Sequence, residues 1–182
     1  IPAEDVEIKV YNKTEGKVNI INTKNEMETI ASLIKNRGRN TVGILLPTNE
    51  AVRHFYNGLK EKSIHDLETK YSIGKAWDNS VDFGNTNPKI ITFWSAKGVQ
   101  FDNVIIPWMN NDMNDKCLYS EQTLETRALY VAMTRTKKTL YFTRPENFNF
   151  PYSDDLHSDF YTERNKDEKP EKDINDIFKF ST

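Results

Sequence analysis

The chain has 182 residues, of which 37% are hydrophobic and 29% charged, and its formal net charge is −2. This length can bury one sizeable core, so we expect one domain with appendages. The nearly neutral charge excludes a protein that coats nucleic acid through bulk positive charge, so any nucleic-acid contact must be local. No apolar run approaches the roughly 18 to 20 residues of a membrane span. Cys117 is the only cysteine, which excludes disulfide scaffolds and cysteine-rich metal sites and fits a cytoplasmic protein.

The first part of the chain predicts strands that alternate with helices. Residues 18–24 are rich in β-formers and predict a strand. Asn25 is expected to cap a helix because Glu28 stands three residues later, and Gly38 is expected to end it. The nearly all-apolar run at 41–46 indicates a strand covered on both faces, as in a parallel sheet.

The pattern continues to residue 143. Asn49 is expected to cap a second helix. Further elements are predicted in the order strand, strand, helix and strand, at 90–94, 104–107, 121–135 and 139–143. The region 63–88 is rich in Asp, Asn and Gly, and we expect it to be a connection with one short element at most. Together these elements indicate an α/β fold with a mostly parallel sheet.

The composition becomes strongly polar toward the end of the chain. Residues 163–173 contain no apolar residue and cannot join a core. The apolar residues within 174–178 have the spacing of one short amphipathic helical turn. Two interpretations stay open for residues 173–180: the turn docks onto its own domain, or it folds on a protein partner.

Two short stretches carry most of the functional information. Residues 92–101 read Thr-Phe-Trp-Ser-Ala-Lys-Gly-Val-Gln-Phe and follow a predicted strand. Residues 129–135 read Leu-Tyr-Val-Ala-Met-Thr-Arg and end a predicted helix. A strand end that offers Lys97 and the backbone of Gly98, with Arg135 at an element boundary, is suited to bind a polyanion.

These stretches resemble motifs V and VI of the UvrD/Rep-like superfamily 1 helicases. Those proteins are ATP-driven DNA motors. Their typical sequence is T-x-H-S-A-K-G-L-E-F for motif V and L-x-Y-V-A-M-T-R-A for motif VI. The segment at 46–53 is similar to motif IVa of the family, with Thr48, Asn49 and Arg53 matching and Pro47 in place of an arginine.

The resemblance covers residues 16–145 and implies a fold. It predicts a RecA-like three-layer domain of P-loop NTPase type, the second motor domain (2A), which lacks the P-loop itself. Residues 1–15 would then be a lead-in and residues 146–182 a polar tail. The stretch at 63–88 is far too short for the large 2B insertion of UvrD and Rep.

The resemblance also implies a role for each motif residue. Arg135 would be the arginine finger that stabilises charge on a transferring γ-phosphoryl group, and Gly98 and Gln100 would join it in binding ATP. DNA contacts would come from Thr48, Asn49, Thr92, Trp94 and Lys97. Gln100 and Trp94 replace the family's usual glutamate and histidine, and an indole stacks on a base at least as well.

Several of these residues also have a purely structural interpretation. Arg135 could be a solvent-exposed arginine that is favoured at a helix C-terminus. Trp94 could belong to the core, Lys97 could be an exposed turn lysine, and Asn49 could be a plain helix cap.

The sequence contains neither a G-x-x-x-x-G-K-[ST] loop nor a strand that ends in a Walker B Asp-Glu pair. We therefore expect ATP and Mg²⁺ to be held mainly by an N-terminal motor domain of the same parent chain. The chain starts at Ile1, and we expect it to be an excised part that is inactive alone. The three histidines are scattered and predict no metal site.

The sequence thus predicts the C-terminal motor domain of an ATP-dependent DNA helicase that acts on single-stranded or partly duplex DNA. One alternative is an RNA-directed superfamily 1 helicase. The other is a non-catalytic module, derived from such a helicase, that binds nucleic acid or protein. No contact with a membrane is expected.

Overall fold

A computed structural model of the protein describes residues 17–107, 133–145 and 162–165. Within these ranges the chain forms eight strands and two helices. In chain order they are β1 (Lys17–Thr23), α1 (Glu26–Lys35), β2 (Val42–Leu46), α2 (Asn49–Glu61), β3 (Glu68–Ile73), β4 (Ala76–Asn79), β5 (Lys89–Thr92), β6 (Phe101–Pro107), β7 (Thr136–Pro145) and β8 (Thr162–Asn165).

The strands form one sheet in the order β4-β3-β5-β2-β6-β7-β1-β8. Neighbouring strands run parallel, except that β3 and β4 are antiparallel. This topology confirms the predicted α/β fold with a mostly parallel sheet. Each predicted strand is present, with ends that shift by up to three residues. Because the strands are parallel, their carboxyl ends meet at one edge of the sheet and their amino ends at the other.

The core lies between the sheet and the two helices. All five residues of β2 are buried, as expected of a strand covered on both faces. Ile30 and Ile34 of α1 are fully buried, and so are Val52 and Leu59 of α2. Their spacing places one apolar stripe of each helix against the sheet, while most charged residues of both helices face outward. Glu26 of α1 is the exception: it is buried, and its carboxylate accepts the Thr143 hydroxyl at 2.7 Å.

The two helix starts differ in how well the sequence predicted them. Asn25 caps α1, because its side-chain oxygen accepts the N–H of Glu28 at 3.0 Å. The expectation that Asn49 caps α2 is wrong: Thr48 is the cap, and its hydroxyl accepts the N–H of Ala51 at 3.2 Å. Threonine and asparagine are both good caps, so the choice between neighbours depends on where the backbone leaves β2.

The prediction that 63–88 is a connection with one short element at most is also wrong. This region contains β3 and β4, which form an antiparallel hairpin in which Ser72 pairs with Trp77. The hairpin joins the sheet through parallel pairing of β3 with β5. Most of its side chains beyond Thr69 are exposed or half-buried, so the sequence lacks the apolar pattern of a buried strand.

Part of the predicted tail also belongs to the sheet. Residues 162–165 form β8, which pairs in parallel with β1 at the sheet edge. Strand pairing uses backbone groups, so it does not require apolar side chains. The predicted helix at 121–135 lies outside the described residues except for its last three, and so does the predicted helical turn within 174–178.

A buried ion pair holds the hairpin to the sheet. The Lys89 ammonium lies 2.7 Å from a carboxylate oxygen of Glu68 and also donates to Asn85 and to the Asn87 carbonyl. The other Glu68 oxygen accepts from the Asp82 N–H and the Asn85 amide. Burial by itself raises the pKa of Glu68, but these hydrogen bonds and the Lys89 charge outweigh it and hold the pKa below its usual value.

We expect Lys89→Met to destabilise the fold by about 3–5 kcal/mol, because it leaves the Glu68 carboxylate buried without its cation. Urea unfolding measures this loss. The control is Asp66→Asn, which breaks the Arg37–Asp66 pair, where the Asp66 side chain is 43% exposed. The control should cost less than about 1 kcal/mol. Equal losses in the two variants would contradict the special role of the buried pair.

Candidate functional site

An open cleft of about 430 Å³ lies at the carboxyl edge of the sheet. Its walls come from the β2–α2 connection, the β3–β4 hairpin and the turn that follows β5. Four of the five residues predicted to contact DNA line it: Thr48, Asn49, Thr92 and Trp94. The fold therefore brings together residues that are more than forty positions apart in the sequence.

The turn after β5 has an inner and an outer face. Phe93 and Ala96 are buried against the sheet at 1% and 0% exposure. Trp94 is 60% exposed, and Lys97 is exposed one helical-type turn later. Three-residue spacing thus places Phe93 and Ala96 inside and Trp94 and Lys97 outside. The exposure of Trp94 contradicts its interpretation as a core residue.

The two cleft threonines hold the backbone in place. The Thr92 hydroxyl accepts the N–H of Ser95 at 3.2 Å and hydrogen-bonds the Ser95 hydroxyl at 3.1 Å. Thr48 is engaged as the cap of α2. Asn49 is the first residue of that helix and is half-buried. Because Thr48 is the cap, the Asn49 side chain does not serve that role. Of these three residues, Asn49 is the best placed to contact a ligand directly.

Two of the three residues predicted to bind ATP, Gln100 and Arg135, lie at the opposite, amino edge of the sheet, directly before β6 and β7, and Gly98 lies in the crossover that leads there. The N–H of Phe101, at the start of β6, donates to the Arg135 carbonyl at 2.8 Å. This bond sets Arg135 beside Gln100, which is exposed. Gly98 has φ +86°, a left-handed conformation that strongly favours glycine. Arg135 is half-buried as a residue, and its guanidinium donates to the Thr134 hydroxyl at 3.3 Å in an exposed contact.

Asp102 secures the amino edge next to this group. Its carboxylate accepts the Thr41 N–H at 3.0 Å, and its own N–H donates to the Thr41 hydroxyl at 2.9 Å. Lys138 of β7 lies 3.5 Å from the other carboxylate oxygen. Burial raises the pKa of Asp102, but the Thr41 and Lys138 contacts outweigh it and place the pKa below its usual value.

The sequence prediction missed the hairpin wall of the cleft, which contributes Lys70, Ser72 and Trp77. A signal was present in the two-residue turn at Gly74 and Lys75, because glycine between two strand-like runs favours a hairpin. Gly74 has φ +56°, as such a turn requires.

A comparison with protein families gives the affiliation. The UvrD-like helicase C-terminal domain family matches residues 8–147, most of the chain. This chain belongs to that family. It is a helicase C-terminal domain, and its RecA-like fold is the one that the resemblance of motifs V and VI implied.

Solved structures support the fold. The C-terminal domain of a possible DNA helicase from Lactobacillus plantarum WCFS1 superposes with a TM-score of 0.58 at 15% identity, over 82% of this chain and 84% of that one. The C-terminal domain of the DEAD-box protein Dbp5 gives 0.55 at 14% identity, over 92% and 97%. Domain 2 of the DEAD-box helicase Mss116p, bound to an RNA duplex, gives 0.50 at 10% identity, over 85% and 66%. No curated protein sequence matches this chain.

In residues 17–107, 133–145 and 162–165, no group of three His, Cys, Asp or Glu side chains is placed to hold a metal ion. The helices in those same ranges are too short or too polar to cross a bilayer.

We expect Asp102→Asn to lower stability at pH 7 by about 1 kcal/mol or more, because the charge that Thr41 and Lys138 stabilise is removed. A carboxylate with a depressed folded-state pKa stabilises the fold above its unfolded pKa of about 3.9, and this contribution is lost as pH falls through the folded pKa. The difference between wild type and variant should therefore shrink below about pH 4. Urea unfolding over a pH series measures it, and a constant difference down to pH 2 would contradict the assignment.

Proposed function

We propose that this chain is the C-terminal motor half of an ATP-dependent DNA helicase. The observation that carries the proposal is the single crossover from β5 to β6. Its first part places Trp94 in the wall of the cleft and Lys97 on the same outer face. Its last residue, Gln100, adjoins Phe101, whose N–H donates to the Arg135 carbonyl. One short segment thus serves both a nucleic-acid track and a nucleotide site.

The amino-edge group fits a polyphosphate. Arg135 offers planar guanidinium donors, and the backbone at Gly98 is open, with no atom within 4 Å of where a Cβ would stand. Gln100 offers an uncharged amide that can accept from a ribose hydroxyl. ATP and Mg²⁺ would be held mainly by an N-terminal motor domain of the same protein. Bound there, ATP supplies the transferable phosphoryl group, and Arg135 stabilises its charge from the amino edge of this domain's sheet.

The carboxyl-edge cleft fits single-stranded or partly duplex DNA. An exposed indole can stack on any base, and an exposed lysine one turn away can neutralise a phosphate. Such contacts are local, which agrees with the nearly neutral charge of the whole chain. Asn49 adds a neutral hydrogen-bonding group at the same edge.

Two alternatives remain distinguishable by experiment. An RNA-directed helicase would use the same stacking and phosphate contacts, so the affinities for matched DNA and RNA strands decide between them. The likeness to two DEAD-box proteins, at 14% and 10% identity, concerns the fold alone. If the chain is a non-catalytic binding module, Arg135→Ala should leave any ATP hydrolysis by the intact protein unchanged.

In the intact protein with both motor domains, Arg135→Ala should lower kcat for ATP hydrolysis by about 10³ or more, with little change in nucleotide Kd. The reason is that an arginine finger acts mainly on the transition state. Steady-state ATPase assays and nucleotide titration measure the two quantities. Arg39→Ala, at an exposed arginine outside this group, is the control. Near-normal turnover in Arg135→Ala would exclude the arginine finger.

Lys97→Ala should weaken single-stranded DNA binding for every sequence and lower the salt slope by about one phosphate contact. Trp94→Ala should cost roughly 1–3 kcal/mol in binding, with an unchanged Tm because the indole is largely exposed. Fluorescence anisotropy with labelled oligo(dT), and with oligo(rU) of equal length, measures both. Lys35→Ala, at an exposed lysine of α1, should bind normally. Tighter binding of oligo(rU) would favour the RNA-directed alternative.

A further inference from the structure

Trp77 has no role in the motifs, yet it is the most exposed large hydrophobic side chain in the described ranges. It is 69% exposed, compared with 60% for Trp94 and 51% for Phe83. It lies on β4, the edge strand at the β3 end of the sheet. An indole that contributes so little to the core raises the question of what it contacts.

The register of the hairpin shows which side chains accompany Trp77. Trp77 pairs with Ser72, and Lys70 pairs with Asn79. Side chains alternate between the faces of a strand, so Lys70, Ser72 and Trp77 share one face. All three line the same cleft as Trp94. The cleft therefore has an exposed indole on each of two walls, one from the hairpin and one from the crossover.

We propose that the β3–β4 hairpin is the second wall of the single-stranded DNA track, with Trp77 stacking on a base and Lys70 contacting a phosphate. The inference rests on the proposed function of the Trp94 side of the cleft. It adds a contact that the helicase motifs do not contain, in a segment at 63–88 that the motifs leave unexplained.

The composition of the cleft favours nucleic acid over a protein segment. The cores of protein interfaces are depleted in charged residues, whereas Lys70 lines this cleft and offers a cation to a phosphate. Asn49, Ser72 and Ser95 also line the cleft and add polar groups to its walls. Stacking surfaces with interspersed polar and cationic groups are typical of sites that hold single strands without strong sequence preference.

The hairpin is also anchored firmly enough to present Trp77. At its base, the buried Lys89–Glu68 pair joins β5 to β3. The Thr69 hydroxyl donates to the Ile90 carbonyl at 3.0 Å, and the Ser80 N–H donates to the Thr69 carbonyl at 2.9 Å. Because the hairpin is already held in place, it loses less conformational entropy when a nucleobase stacks on Trp77.

The test is the affinity of the intact protein for labelled oligo(dT), measured by fluorescence anisotropy. Trp77→Ala should weaken binding roughly 5- to 150-fold, the equivalent of losing one stacked base. Trp77→Phe should retain most of the affinity, because a phenyl ring still stacks. Lys70→Ala should lower the salt slope by about 0.7, the value for one phosphate on a single strand. Phe83→Ala is the matched control, since Phe83 is an exposed aromatic residue outside the cleft.

The outcomes separate this inference from the proposed function. If Trp94→Ala weakens binding but Trp77→Ala and Lys70→Ala do not, the hairpin lies outside the DNA track and its face belongs to a protein contact. The proposed function would then stand without the hairpin. If wild-type protein does not bind the oligonucleotide, both proposals fail. The Tm of Trp77→Ala should match that of wild type. If the Tm is lower, the affinities of Trp77→Phe and Lys70→Ala for the oligonucleotide test whether the hairpin contacts DNA.

Discussion

The fold depends on a tight crossover between β5 and β6. These parallel strands flank β2, so the eight residues between them must pass across the sheet over β2. Parallel connections usually need a dozen or more residues and a helix. With only eight, the chain stays close to the sheet and buries Phe93 and Ala96. Where the crossover enters β6, Gly43 of β2 makes room for the Phe101 ring, because a Cβ at Gly43 would lie 2.5 Å from that ring.

The shortness of the crossover has a functional consequence. A long connection could let the two ends of the segment move independently, whereas this one is held at both ends. The Thr92 hydroxyl and the Ser95 N–H secure the first turn, and the backbone bond from Phe101 to Arg135 secures the last residues. Under the proposed function, a displacement of the backbone at the nucleotide end would therefore be transmitted to Trp94 through a short, packed segment.

One buried and one half-buried set of polar contacts place the remaining parts around this crossover. The Lys89–Glu68 pair holds the hairpin beside β5, and Asp102 ties β6 to Thr41 and Lys138. Both carboxylates have depressed pKa values for the same reason, since donors and a nearby ammonium outweigh the effect of burial. The hairpin wall of the cleft thus rests on the Lys89–Glu68 pair, Asp102 secures the opposite edge, and the indoles of Trp77 and Trp94 stay exposed.

The sequence by itself determined the elements whose signals are local. The apolar run of β2, the Asn25 cap and the motifs at 92–101 and 129–135 can be read without long-range information, and they were sufficient for the α/β fold and the helicase family. Tertiary structure decided what depends on distant partners. Thr48 became the cap of α2, and polar residues at 68–79 became a hairpin because β3 could pair with β5. Trp77 and Trp94 line the same cleft because the strand order places β3 beside β5. The periodicity of a single segment carries no information on which strands become neighbours.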